Sequence, residues 1–433
     1  MLGIGIAFVS LSACASDRDA FATDFLRSCG IDMNDYSLFR FDYAALARES
    51  AERTGRGAIF LEANPRLPAW TTSARIEGSM RDVGFHIGSI AAASGFGPAR
   101  IDEASRALND RILAMYREFF PPWLEKAEGI GEAFGIALED LDLRVLEREF
   151  FVRLGWMGLD YETRKRISFR MLGTGCSVAV ARVVDEDGSR SVVAGRNFDW
   201  LQPNGTYFDS SITGLLRSKG MTIICPDHWV MDGINEKGLF VAVLTVGSSP
   251  EASWGGLPYP DEPAVDTHHL MRIVLDTCAT VADAEAMAAS VRVWHGSENV
   301  HFVVADASGD IALFEFGADG KLVVDRMRER DFMVVTNDWM SGKSELERLR
   351  CWRYAVGRET LRASYPIRRG ALRDATYAMV NHPDNPLSHY GAGPYYFDVL
   401  RTVWTSIYDL GAMAASVDFH DGASDAFLFS IAH

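Results

Sequence analysis

Apolar positions change their spacing near residue 172. Upstream they recur three or four residues apart, the repeat of a helix with one buried face. That pattern predicts helices over Ser73–Ala93, Ile101–Phe119, Pro122–Phe134 and Leu138–Leu154 after a polar lead-in. Pro121 and Pro122 mark a boundary between two of them, and Gly135 suits a helix end. The run Gly129-Ile-Gly131-Glu-Ala-Phe-Gly135 lacks the spacing of a nucleotide fingerprint and follows a helix rather than a strand, so it predicts an interhelical loop.

Downstream of Gly175 the pattern alternates or turns β-branched, and the runs shorten. Strands are predicted over Ser177–Val184, Ser191–Ala194, Met221–Ile224, Leu239–Val246, Val300–Asp306, Ile311–Phe316, Leu322–Asp325 and Phe332–Thr336. Asp187-Gly188, Asn204-Gly205, Ser308-Gly309 and Asp319-Gly320 are turn signals between strands. Helical stretches over Asp266–Val291 and Ser344–Ser364 interrupt, and strand-like runs over Thr402–Leu410, Met413–Phe419 and Asp425–Ile431 follow. Strands joined by short turns imply antiparallel sheets, with the helical blocks covering their outer faces. The expected class is a layered α+β body, not a parallel dinucleotide-binding fold.

Composition narrows the function classes. With 433 residues and 48% hydrophobic content the chain can bury a large core. No segment approaches the roughly 18–20 apolar residues needed to span a bilayer. A net charge of −16, with basic residues scattered among acids, argues against nucleic acid, which needs clustered Lys and Arg. The first 16 residues differ: Leu2 to Leu11 is an apolar run of signal length, and Leu11-Ser12-Ala13-Cys14 matches a bacterial lipobox. That match predicts Cys14 as a lipid anchor, whereas the lack of Lys or Arg ahead of the run argues for an ordinary apolar start. Export as a periplasmic or membrane-anchored lipoprotein and a cytoplasmic location both stay open.

The six cysteines, Cys14, Cys29, Cys176, Cys225, Cys278 and Cys351, form no Cys-x-x-Cys pair, and the ten histidines form no compact ligand set. No metal or cofactor is called for. A Gly-x-Ser-x-Gly elbow is missing, and so is the context of a papain-type cysteine. The chemistry-bearing cluster is Gly173-Thr-Gly175-Cys176-Ser177 opening one strand and Gly195-Arg196-Asn197-Phe198-Asp199-Trp200 ending the next. A hairpin turning at Asp187-Gly188 would bring Cys176 to Arg196 and Asp199. A guanidinium beside a thiol favours thiolate, the nucleophilic form.

Gly-Cys-Ser followed by Gly-Arg-Asn-Phe-Asp-Trp resembles the choloylglycine-hydrolase-type linear amide hydrolases, which are N-terminal-nucleophile hydrolases. Asp232-Gly-Ile-Asn235-Glu-Lys-Gly238-Leu, His301-Phe-Val-Val-Ala-Asp306, Val335-Thr336-Asn337 and Thr402-Val-Trp-Thr-Ser-Ile-Tyr-Asp409 resemble further motifs of that superfamily, in its order. Glu77-Gly78 through Gly88 is similar to the leader of its isopenicillin-N acyltransferase-like branch. The resemblance implies a four-layer αββα sandwich over 176–433, behind a mainly helical segment, 17–175. It implies a precursor that cuts itself between Gly175 and Cys176, freeing an α-amino group to act as base for the Cys176 thiol. Asp199 would orient that amine, Arg196 would support local charge, and Asn337 would hold the oxyanion. Thr245 stands where some bile-salt hydrolases have asparagine, and the late arginine of the family falls on Arg350 or Arg353, which spacing does not separate. Trp200 and Asn235 are assigned to substrate. The implied substrate is a small N-acyl amide or acyl thioester. The rival reading is a non-catalytic lipid- or peptide-binding relative on the same scaffold.

Overall fold

The computed structural model describes residues 58–62, 73–93, 98–144, 146, 176–201, 214–216, 220–224, 230–246, 259–294, 300–317, 319–327, 331–381, 400–420 and 427–430. Cys14 and Gly175 lie outside them.

In the first part, β1 (Ala58–Glu62) pairs antiparallel with β2 (Ser73–Glu77), so the helix predicted from Ser73 starts later, as α1 (Met80–Ala93). Ser79 sets that start. Its Oγ accepts from the Asp82 N–H at 3.2 Å, while the Asp82 carboxylate accepts from the Ser79 N–H at 2.9 Å, a reciprocal cap. After α2 (Arg106–Phe119), α3 (Pro121–Ala133) begins on its two prolines, which suit first-turn positions. Gly129 and Gly131 lie inside α3, not in the predicted loop. A Cβ at Gly129 would sit 2.0 Å from the Arg81 carbonyl oxygen, so the bare backbone is what lets α1 pack this close. The helix predicted over Leu138–Leu154 is one 3₁₀ turn, Leu138–Asp140, followed by an isolated bridge from Leu141 to Arg100 and then a turn. The Asn109 side chain holds that segment, donating to the Leu141 carbonyl and accepting from the Leu143 N–H, both at 3.0 Å. Residues 147–154 lie outside the description.

The second part is built on two sheets. β3 (Ser177–Val184) and β4 (Arg190–Leu201) form the predicted hairpin, with β4 running well past Ala194. β5 (Gly214–Leu216), β6 (Gly220–Ile224), β7 (Val230–Asn235) and β8 (Phe240–Thr245) follow, then β9 (Val265–Asp266), α4 (Thr267–Thr277), α5 (Val281–Ala289) and β10 (Val293–Trp294). The single helix predicted over Asp266–Val291 is broken after Thr277, where Thr280 caps α5 in a box with Asp283. β11 (Val300–Ala305), β12 (Ile311–Phe316), β13 (Leu322–Arg326) and β14 (Phe332–Val335) lead into α6 (Glu345–Arg348), α7 (Trp352–Ala363) and α8 (Arg369–Ala378). β15 (Leu400–Asp409), β16 (Ala414–Phe419) and β17 (Phe427–Ser430) complete the described chain.

One sheet runs β14-β3-β4-β15-β16-β17 and the other β13-β12-β11-β8-β7-β6-β5, antiparallel throughout; among the described residues only the two-residue β9/β10 pair is parallel. Helices and antiparallel sheets thus make the mixed α+β body expected. α7 and α8 pack on the first sheet, α4 and α5 on the second. Between the sheets, the rings of Tyr408 and Phe240 stand 5.0 Å apart, and Phe198 stacks on Trp404 at 4.1 Å. Gly195 sits under α8: a Cβ there would meet Thr376 Oγ1 at 2.1 Å. The Asn197 amide donates to the Thr376 carbonyl at 2.8 Å, which fastens the helix to the strand beside the candidate site.

Candidate active site

Strand register gathers the candidate residues at one end of the first sheet. Cys176 immediately precedes β3, whose Val178 lies opposite Arg196 on β4 and opposite Val335 on β14. Asp199, toward the end of β4, lies opposite Thr402 near the start of β15, and Asn337 follows β14 by two residues. Side chains alternate across a strand. Arg196 and Phe198 therefore turn into the space between the sheets, while Asn197 and Asp199 turn toward the helices.

The thiol of Cys176 is buried, and Arg196 Nη2 donates to its Sγ at 3.2 Å. Arg353, on α7, is the hub of the helix side. Its Nη1 donates to the Cys176 carbonyl oxygen and to Asp199 Oδ2, each at 3.0 Å, and its Nη2 donates to Asn337 Oδ1 at 2.9 Å. The Asn337 amide in turn donates to the Thr245 carbonyl at 2.8 Å. Arg353 can only donate and a carbonyl can only accept, so these partners fix which end of the Asn337 amide faces each. Thr402 Oγ1 donates to Asp199 Oδ1 at 2.6 Å and accepts from the Asn381 N–H at 2.8 Å. The loop after Asn337 is held from below: Glu315, paired with buried His301 at 3.0 Å, accepts from the N–H groups of Met340 and Ser341 at 2.7 Å each.

Burial dominates the electrostatics. It pushes the Cys176 thiol up from its ordinary range, against the pull of Arg196, the Asp199 N–H and Arg353. The guanidinium expected to favour thiolate is in place, but desolvation outweighs it. Burial likewise pushes the Asp199 carboxyl up to about 6, against Arg353, Thr402 and Arg196.

The structure thus brings together Cys176, Arg196, Asp199, Asn337 and Thr245, the last through its backbone carbonyl. It does not bring Arg350 there. Arg350 is exposed on the turn before α7, and Arg353 occupies the place left open between them. Asn235 is corrected as well. Its amide donates to the carbonyls of Leu275 and Cys278, and its Oδ1 accepts from the N–H groups of Lys237 and Leu239, so its polar atoms are engaged by the backbone rather than offered to substrate. Trp200 is placed by its backbone alone, opposite Arg401. Sequence reasoning missed Thr402 as a partner of Asp199 and Asp232 as a partner of Arg196. Both stood inside quoted motifs, but only the strand register shows what they face.

Among the described residues, no group of three or more His, Cys, Asp or Glu side chains is arranged to hold a metal ion, and no helix is long and apolar enough to cross a membrane.

Residues 184–423 match the family of acyl-coenzyme A:6-aminopenicillanic acid acyl-transferases, a span of more than half the chain. The chain belongs to this family. Cys176 lies eight residues ahead of the matched span. No curated protein sequence matches. Among solved structures the chain is similar to penicillin V acylase from Agrobacterium tumefaciens, with 18% identity and a TM-score of 0.41 over 59% of this chain and 86% of that one. It is also similar to a mutant of conjugated bile acid hydrolase from Clostridium perfringens, with 12% identity and a TM-score of 0.41 over 59% and 92%.

Proposed function

We propose that this protein is a self-activating cysteine N-terminal-nucleophile enzyme that cleaves linear amide C–N bonds or transfers the acyl group. The observation that carries the reading is the Arg353 hub: one buried guanidinium ties the Cys176 carbonyl, Asp199 and Asn337 together while Arg196 rests on the sulfur. The packing of helices on the outer face of each of two facing sheets supports the αββα sandwich of such enzymes over 176–433, with 17–175 as the segment released at its C-terminal end by the cut.

In this reading the thiol attacks the Gly175 carbonyl carbon, and the C–N bond to Cys176 breaks as its nitrogen takes up the thiol proton. Water hydrolyses the resulting thioester, which releases the Gly175 carboxylate and restores the thiol. The new α-amino group, with an ordinary pKa of about 7.7–8.0, then serves as base. The amine takes the thiol proton as Sγ bonds to the substrate carbonyl carbon. Asn337 donates to the oxyanion, a contribution typically worth about 3–4 kcal/mol of barrier. The C–N bond then breaks, the departing nitrogen takes the proton from the α-ammonium, and water or a second amine releases the acyl group from sulfur. Asp199, fixed by Arg353 and Thr402, accepts from the α-amino group and aims it. Arg353, by holding the Cys176 carbonyl, fixes the backbone about which the sulfur turns.

N-terminal sequencing of purified protein tests the cut: two fragments are expected, the larger beginning Cys-Ser-Val-Ala. A single uncut chain, or a cut elsewhere, would refute it. N-acyl amides, penicillins and acyl thioesters, offered with and without an acceptor amine, then separate hydrolysis from transfer.

Asp199 must be ionised to accept from the amine, so activity is lost as pH falls through its pKa. In the uncut chain that value is about 6, and a protonated α-amine beside it can only lower it. Two ionisations therefore shape the acidic side of kcat/KM: log kcat/KM is expected to fall with slope one below the ordinary range of the amine, about 7.7–8.0, as the base is protonated. The slope should steepen to two at or below about pH 6, where Asp199 is protonated as well, and a slope that stays at one through that range would remove Asp199 from this role.

A further inference from the structure

We propose that Asp232 is a positioning residue for the cysteine: anchored across the sheets by Ser406 and Tyr408, it holds the Arg196 guanidinium against the Cys176 sulfur and cancels its charge. This rests on the reading of Cys176 as nucleophile.

Arg196 and Asp232 are both fully buried, with Arg196 Nη1 3.2 Å from Asp232 Oδ1. They come from different sheets, β4 and β7, so the pair bridges the inter-sheet space. Ser406 lies directly opposite Arg196 in the β4/β15 register, and Tyr408 lies two residues along on the same face. Both hydroxyls donate to Asp232 Oδ2 at 2.6 Å, which leaves Oδ1 to face the guanidinium. The plane of Arg196 has little freedom. Its centre lies 4.6 Å from the Phe198 ring and 5.6 Å from the Trp404 ring, and Nη2 also donates to the Val243 carbonyl at 3.3 Å. Burial holds the Tyr408 phenol well above its ordinary range, so it remains a donor at any working pH.

The charged groups facing the sulfur are Arg196 and Asp199 from β4 and Arg353 from α7. Asp232 faces the Arg196 cation from β4 and the neutral Tyr408 phenol from β15. Each guanidinium thus has its own carboxylate, Arg353 with Asp199 and Arg196 with Asp232. With the charges matched, the sulfur meets no net cation and keeps its proton until a base removes it. Neutralising residue 232 leaves Arg196 as an unmatched cation beside the thiol.

The test is the pH dependence of iodoacetamide alkylation at Cys176, read by peptide mass, alongside kcat. Asp232→Asn is expected to lower the alkylation midpoint by about one pH unit, the usual size of a nearby-charge effect, and to lower kcat. Asp232→Glu keeps the charge but displaces the carboxylate, so the midpoint should stay and kcat should still fall at least about tenfold. An unchanged or raised midpoint in Asp232→Asn overturns the charge role, and full turnover in Asp232→Glu overturns the positioning role. If Asp232→Asn does not fold, Asp232→Glu decides the proposal by itself. Alkylation needs neither chain cleavage nor substrate, so failure of the nucleophile reading registers separately, as an uncut chain without an acyl adduct.

Discussion

Cys176→Ala is expected to give one full-length polypeptide and no measurable turnover, a loss on the order of 10⁴-fold or more. Both steps fail for the same reason. The sulfur that would open the Gly175–Cys176 bond is the sulfur that would carry the acyl group, and without the cut no α-amine appears to act as base. The fold should tolerate the change, because the residue is small and stands at a strand edge rather than within the ladder. Removing one sulfur from a packed site costs on the order of 1 kcal/mol. Cys278→Ala is the control. Cys278 is also a buried free thiol pushed up by burial, but its neighbour is the Thr277 hydroxyl at 3.6 Å and no guanidinium rests on it. That variant should be processed and active. Gel mobility, N-terminal sequencing and turnover of the two variants decide the matter. Processing at the same bond in Cys176→Ala would mean that another group, or another protein, makes the cut.

Where one face of an element is uniformly apolar, the sequence is close to the structure. β3 and β12 have the predicted bounds because alternation and turn chemistry agree there. The misses cluster where polar residues are buried. β7 escaped notice because Asp232, Gly233 and Asn235 interrupt its apolar pattern; in the folded chain the first reaches Arg196 and the third reaches the backbone after α4. α8 was missed because much of its outer face is polar, and its close seat on β4 depends on the bare backbone of Gly195 and a hydrogen bond from Asn197. α1 and α5 begin at reciprocal caps inside longer periodic stretches, which a repeat of three or four does not locate. For the site, Cys176, Arg196 and Asp199 could be placed from one hairpin, a local arrangement. The rest is long-range: Arg353 and Thr402 reach Asp199 from far along the chain, and nothing in Leu349-Arg-Cys-Trp-Arg-Tyr354 says which arginine turns inward.

That choice carries the second large effect. Arg353→Met is expected to lower stability by about 3–5 kcal/mol and kcat by about 10²–10³-fold, whereas Arg350→Met should leave both near the parent values. Met fills much of the volume, so the loss is chiefly electrostatic. Asp199 would remain as a buried carboxylate without its cation, the Cys176 carbonyl would lose its donor, and the Asn337 amide would be held only through Thr245. Arg353 is also the strongest influence opposing burial at Asp199, so the carboxyl should move further above 6 and stay protonated nearer neutrality. The sign of the stability effect follows. A carboxyl whose folded pKa exceeds its unfolded value destabilises the fold as pH rises between the two, because the folded state keeps a proton that the unfolded chain releases. In the parent this cost stops growing at about pH 6, while in Arg353→Met it continues to grow above that. The stability gap between the two proteins should therefore widen as pH rises through and beyond about 6. Urea unfolding at several pH values, with kcat measured in parallel, reads both effects. A constant gap across that range would mean that Arg353 holds the site by packing and not by its charge on Asp199.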